Sequence, residues 1–172
     1  MNNQRVVLVG ASSTGKTTVA ELLKPELKYY KFISESTRTV RSYGFPINEE
    51  GTNATQLAIS SFHLEALLQD SNLLLDRGYL DLVVYSRFLD GIDKATMDCI
   101  EGTWDRVKHR YTKFIYFPIE FKSVDDGVRS VNEEWRDSID KEFVKELEYS
   151  KIEYLTVTGS PKQRVDQIKK YI

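Results

Sequence analysis

Gly10-Ala11-Ser12-Ser13-Thr14-Gly15-Lys16-Thr17 is the stretch of this 172-residue chain whose residue types and spacing most clearly imply chemistry. It fits the pattern G-x-x-x-x-G-K-[ST], which describes a backbone cradle for a polyphosphate. Glycines at 10 and 15 let the chain close around phosphate oxygens where a Cβ would collide or forbid the required φ. The amides of Ser12, Ser13, Thr14, Gly15, Lys16, Thr17 and Thr18 then aim partial positive charge at the phosphates from the loop and the start of a helix. Lys16 has the reach to contact β- and γ-phosphate oxygens, and the Thr17 hydroxyl is a ligand for Mg²⁺. ATP and Mg²⁺ are the expected cofactors, with the choice between ATP and GTP left open.

Other chemistry-bearing residues fall where apolar runs end. Asp76 closes the run Asn72-Leu73-Leu74-Leu75 and can hold the metal opposite Thr17, or cap the helix that follows. Arg77 suits a phosphate or a structural ion pair, and Asp81 either orients Arg77 or reaches an acceptor. Glu35 ends Lys31-Phe32-Ile33-Ser34 and can take the proton of an attacking hydroxyl. Arg38 and Arg41 share one helical face, suited to an anionic acceptor or to solvent. Asp125-Asp126-Gly127-Val128-Arg129-Ser130 and Arg136 have the composition of a closing lid, expected over about residues 123–137. There Arg129 and Arg136 would stabilise charge on a transferring phosphoryl group; surface ion pairing is the plainer alternative. Gly159, in Thr158-Gly159-Ser160, can pass beneath a nucleotide base or form an ordinary turn.

The elements that must position these residues alternate. Strands are expected at about 5–9, 31–34, 72–76, 113–117 and 152–157. The first helix spans about 15–28, with Pro25 kinking or ending it near Lys24. A second long helix covers about 55–70, with apolar residues at 57, 59, 62, 64, 67 and 68. Another starts near 79 and closes at Gly91, and Asp93 caps its successor, which runs to about Arg110. A charged helix covers about 132–150, and Ser160-Pro161 opens the terminal one. The alternation implies an α/β sandwich with a five-stranded parallel sheet, in which ligands bind beyond the carboxyl ends of the strands.

Bulk properties restrict the function classes. Net charge of -2 argues against nonspecific nucleic-acid binding, and one cysteine, Cys99, cannot form an internal disulfide. His63 and His109 lie far apart in sequence and are expected as surface or core residues. The polar start and the absence of a long apolar run predict neither a signal peptide nor a membrane span, and a single cytoplasmic domain is expected.

The glycine loop, Glu35-x-x-Arg38, Leu75-Asp76-Arg77-Gly78-x-x-Asp81, and Asp126-Gly127-Val128-Arg129 with Arg136 resemble one branch of the P-loop kinases. It is the small nucleoside- and nucleotide-kinase-like group that includes the ribosylnicotinamide kinase domain; the Asp-Arg pair is also typical of thymidylate kinases. Where deoxynucleoside kinases carry Glu-Pro, this chain has Glu35-Ser36. The resemblance implies sheet order 2-3-1-4-5, a three-layer P-loop NTPase sandwich with a helical lid, and γ-phosphoryl transfer from ATP to a small nucleoside or nucleotide. Lys16, Glu35, Asp76, Arg77, Arg129 and Arg136 would then be catalytic, and Glu35, Arg38, Arg77 and Asp81 would bind the acceptor. Thr17 and Asp76 would hold the metal. Tyr43, Phe45, Phe62 and Tyr85 are candidates for the base pocket. Two alternatives are a kinase for a hydroxyl on nucleic acid and an ATP-binding switch. The oligomeric state is open, a dimer included.

Overall fold

Val6, Val7, Leu8 and Val9 are completely buried, which is the signature of a strand covered on both faces. They belong to Arg5–Val9 (β1), the central strand of a sheet. In the computed structural model, which describes residues 3–122 and 132–172, four further strands join it. These are Tyr30–Ile33 (β2), Asn72–Asp76 (β3), Lys113–Tyr116 (β4) and Tyr154–Thr156 (β5). All pairings are parallel, as the alternation of elements predicts, and the order β2-β3-β1-β4-β5 is the one that the resemblance implies.

Seven α-helices in the described residues cover the sheet: Lys16–Leu23 (α1), Ser36–Ser42 (α2), Asn53–Leu68 (α3), Tyr79–Ser86 (α4), Lys94–Val107 (α5), Glu133–Tyr149 (α6) and Pro161–Tyr171 (α7). Alternation along the strands divides the core in two. Val7, Val9, Leu73, Leu75, Phe114 and Tyr116 face one layer, where Leu67, Val83, Trp104 and Phe143 come from α3, α4, α5 and α6. Val6, Leu8, Leu74 and Ile115 face the other, against Val19 and Leu23 of α1 and Ile168 of α7. The result is three layers. No helix among the described residues is long and apolar enough to cross a membrane.

Several expected boundaries shift. α1 stops at Leu23, the turn leading to Pro25, so the proline ends the helix and does not kink it. α4 stops at Ser86, five residues short of Gly91, so Gly91 is not its C′ residue. Gly78, not Asp76, occupies the N-cap of α4, with the Asp81 carboxylate accepting from the Gly78 amide at 3.0 Å. Asp93 and Ser160 do cap α5 and α7 as expected.

Candidate active site

The β1–α1 turn is tightly determined. Gly10 has φ 134°, and a Cβ there would meet the Phe117 carbonyl oxygen at 2.5 Å, so only glycine fits. Gly15 sits at φ 87° in the N-cap position of α1. Between them the Lys16 ammonium folds back into the loop. It donates to the carbonyl oxygens of Gly10 (2.8 Å) and Ala11 (2.5 Å) and to Thr14 Oγ1 (3.1 Å). Burial, with the nearby Arg77 charge, brings its pKa down to about 7, against the opposing pull of Asp81, Asp76 and Glu35.

Two arginines brace this loop through its carbonyls. Arg136, from α6, donates to Ser12 O (2.9 Å), Ser13 O (3.3 Å) and Phe121 O (2.9 Å), and pairs with Glu133. Arg164, from α7, donates to Thr14 O (2.6 Å) and Gly159 O (2.9 Å), pairs with Glu120, and lies over the rings of Phe117 and Phe121. It therefore fastens the loops after β1, β4 and β5 to one another. Sequence reasoning missed Arg164. The available signal was its place one turn into α7, at the end of the helix that must lie beside the strand carboxyl ends.

Thr17 Oγ1 donates to Asp76 Oδ2 at 2.6 Å, joining α1 to the end of β3. Asp76 is buried, and its second oxygen, Oδ1, has no hydrogen-bond partner among the described residues. A buried carboxylate oxygen without a partner is costly unless something charged occupies it. A hydroxyl and a carboxylate at this spacing fit Mg²⁺, which takes one or two protein oxygens and fills its shell with phosphates and water.

Arg77 follows at φ 78°, a strained conformation for a non-glycine residue. Its Nε donates to Glu35 Oε1 at 2.8 Å and its Nη1 to Asp81 Oδ1 at 3.1 Å, while the Tyr85 ring lies 5.2 Å from the guanidinium carbon. Burial opposes the Arg77 charge, but Tyr85, Glu35 and Asp81 outweigh it and hold its pKa above the ordinary value. Burial likewise pushes the Asp81 carboxyl up to about 6, against the pull of Arg77. Arg38 approaches Glu35 at 3.7 Å from the exposed side of α2, and Arg41 lies exposed on the same helix.

Two clefts meet at Arg77. One is lined by Ser13, Thr14, Gly15, Lys16, Thr17, Thr18, Asp76 and Arg77. The other is lined by Glu35, Arg77 and Asp81 together with the apolar or aromatic Ile47, Ile59, Leu82, Tyr85 and Leu89. Of the four aromatic residues expected in a base pocket, Tyr85 lines it. Tyr43 is exposed, and Phe45 and Phe62 pack against the core instead. Gln56 and His63 of α3 also line this second cleft, and neither was expected there. α3 buries Gln56, Ile59, Ser60, His63 and Leu67, whereas Leu57 and Leu68 are exposed at 44% and 74%. The buried stripe is thus rotated away from the apolar one. Gly159 is exposed at the mouth of the β5–α7 turn with φ 91°. Arg129 and its neighbours in 123–131 lie outside the described residues.

The chain superposes on the NadR protein in complex with NR with a TM-score of 0.81, at 18% identity. The alignment covers 99% of this chain and 52% of that one, so the chain spans about half of the NadR protein's length. Deoxyadenosine kinase from M. mycoides with products dCMP and dCDP bound gives a TM-score of 0.74 at 15% identity, covering 98% of this chain and 97% of that one. Thymidylate kinase from Candida albicans gives 0.71 at 17% identity, covering 99% and 91%. The likeness shows the fold of the small nucleoside- and nucleotide-kinase-like P-loop proteins. A search of curated proteins finds no match. The family model of the AAA domain matches residues 5–164, and the chain belongs to that family.

Proposed function

We propose that this protein transfers the γ-phosphate of ATP, with Mg²⁺, to a hydroxyl of a small nucleoside or nucleotide acceptor. The observation that carries the reading is the meeting of the two clefts at Arg77. A cradle containing Lys16, Thr17 and Asp76 opens beside a pocket with a carboxylate, Glu35, in its wall. The fold it shares with deoxyadenosine kinase and thymidylate kinase supports the same reading.

The residues divide the work as follows. Lys16 exchanges its three loop oxygens for β- and γ-phosphate oxygens, at little cost because both settings give an ammonium oxygen partners. Thr17 and Asp76 would hold Mg²⁺, which supplies neutralisation of the charge developing on the phosphates. Glu35 accepts the proton of the acceptor hydroxyl. The new O–P bond forms as the bond from the γ-phosphorus to the β,γ-bridging oxygen breaks, and that electron pair leaves on ADP. Arg77 and Asp81 keep the Glu35 carboxylate aimed into the pocket. Arg136 and Arg164 act by fixing the loop that binds the donor.

The test is ADP formation with ATP and Mg²⁺ across nucleosides, their 5′-monophosphates and DNA 5′ ends. One acceptor class should stimulate turnover, and Lys16→Ala should abolish the stimulation. Acceptor-independent turnover of the same size would instead support a switch ATPase.

A further inference from the structure

α3 carries a second stripe, on the face turned away from the pocket. Ala54, Leu57, Ser61, Leu64 and Leu68 follow one another at intervals of three and four residues in turn, and all but the half-buried Leu64 are exposed. Leu57 is 44% exposed and Leu68 74%. A solitary exposed leucine is ordinary, but among the described residues α3 is the helix that carries two exposed large apolar side chains. Alternating intervals of three and four are the spacing of a seam between two packed helices.

This face can be dried at little cost. Glu65 is the single charged residue of α3, in a chain of which 29% is charged. Ser61 Oγ donates to the Leu57 carbonyl at 3.0 Å, so its hydroxyl keeps a partner when water leaves. The seam is also complementary to itself. Laid antiparallel about a two-fold axis, Leu57 meets the partner's Leu68, and the large Leu64 meets the partner's small Ser61. Parallel pairing would set Ser61 against its own equivalent and leave a gap. Charge favours the antiparallel arrangement too. Thr55 Oγ1 donates to Pro46 O, which places the chain just after α2 beside the first turn of α3, and α2 ends with Arg41 exposed. Antiparallel pairing brings Glu65 and Asp70, at the other end of α3, toward that end of the second copy, with the helix dipoles opposed.

We propose that the outward face of α3 packs antiparallel against the same face of a second copy of this chain, forming a two-fold dimer. A seam ~21 Å long and one helix wide is smaller than the ~800 Å² per partner of a standard interface, so the dimer forms reversibly, in the micromolar range. Pairing bears on the pocket as well, because the inner face of the same helix supplies Thr55, Gln56, Ile59 and His63 to its wall. The proposal does not depend on the kinase reading.

The experiment is sedimentation velocity of the full chain from low micromolar concentration to ~0.5 mM. Wild type should pass from monomer to dimer across that range. Leu57→Glu and Leu68→Lys should each weaken association by ~10-fold or more, with circular dichroism and melting temperature close to wild type because both side chains stand in solvent in the single chain. Mixing the two variants tests the register. Antiparallel pairing sets the new carboxylate of one against the new ammonium of the other, so the equimolar mixture should associate ~10-fold more tightly than either variant alone. A monomer at every concentration overturns the proposal and leaves the face to a partner of another sequence. A dimer that survives both substitutions overturns it, and so does one disrupted instead by Tyr149→Glu, at an exposed position of α6. A mixture no tighter than its components overturns the antiparallel register.

Discussion

Asp76 and His63 are single side chains held under electrostatic stress in the folded chain. Asp76 keeps Oδ1 buried without a partner among the described residues while Oδ2 accepts from Thr17. Asp76→Asn should therefore leave the melting temperature unchanged or raise it, since a neutral amide tolerates that site better than a carboxylate. The same change should remove most of the Mg²⁺ dependence of ATP affinity, read by titrating ATP with and without the metal. A large drop in stability with Mg²⁺ dependence intact would return Asp76 to a structural role. His63 makes a pH prediction. Burial lowers its pKa to about 4, helped by the Arg77 charge and resisted by Glu35. The unfolded chain, with an ordinary imidazole, binds the extra proton between pH 6.5 and 4, so stability is lost as pH falls through that window. Denaturant unfolding should show wild type losing about 2 kcal/mol more than His63→Gln between pH 8 and pH 5. Equal losses would mean that the imidazole titrates normally.

Among the elements, α7 is the least obvious contributor to the site. Its Arg164 ties the Thr14 carbonyl to the Gly159 carbonyl and to Glu120, and so couples three strand-end loops. Arg164→Lys keeps the charge but not the forked donor set that reaches all three partners. It should raise KM for ATP by ~10-fold and leave KM for the acceptor unchanged, because the pocket proposed for the acceptor is lined mainly by α2, α3, α4 and the turns beside them, and its one residue from the glycine loop, Ser12, is held by Arg136 and not by Arg164. A matched change in both constants would show that the residue supports the whole fold instead. α3 explains why part of the pocket was hidden in the sequence. Its apolar period points to Leu57 and Leu68, yet its buried stripe carries Gln56, Ser60 and His63. A binding wall breaks the binary pattern that locates a core, and such breaks concentrate at functional sites. The glycine loop, by contrast, was legible because its function needs contiguous residues with restricted backbone geometry. Asp76, Arg77 and Glu35 were legible because strands that alternate with helices must end on one ligand face. Short elements carried less signal: Pro25 did mark the end of α1, whose C-cap is Lys24, whereas Gly91 misplaced the end of α4, which stops at Ser86.

At the scale of the whole molecule, the sheet order puts β3 beside β1 and β2 beside β3, so Gly10–Thr17, Asp76–Arg77 and Glu35 converge at one edge of the sheet from three separate parts of the chain. The two core layers anchor that edge from both faces, with α1 and α7 behind the cleft that holds Lys16 and α3 and α4 around the pocket that holds Glu35. The central claim is that this edge moves a phosphoryl group from one cleft to the other and does not merely hydrolyse ATP. The most direct measurement is ³¹P NMR of one sample holding the protein, ATP, Mg²⁺ and the nucleoside that binds most tightly. The account predicts a new phosphomonoester resonance that grows in step with the phosphates of ADP. Growth of inorganic phosphate in its place, or no change in ATP with the nucleoside bound, would contradict it.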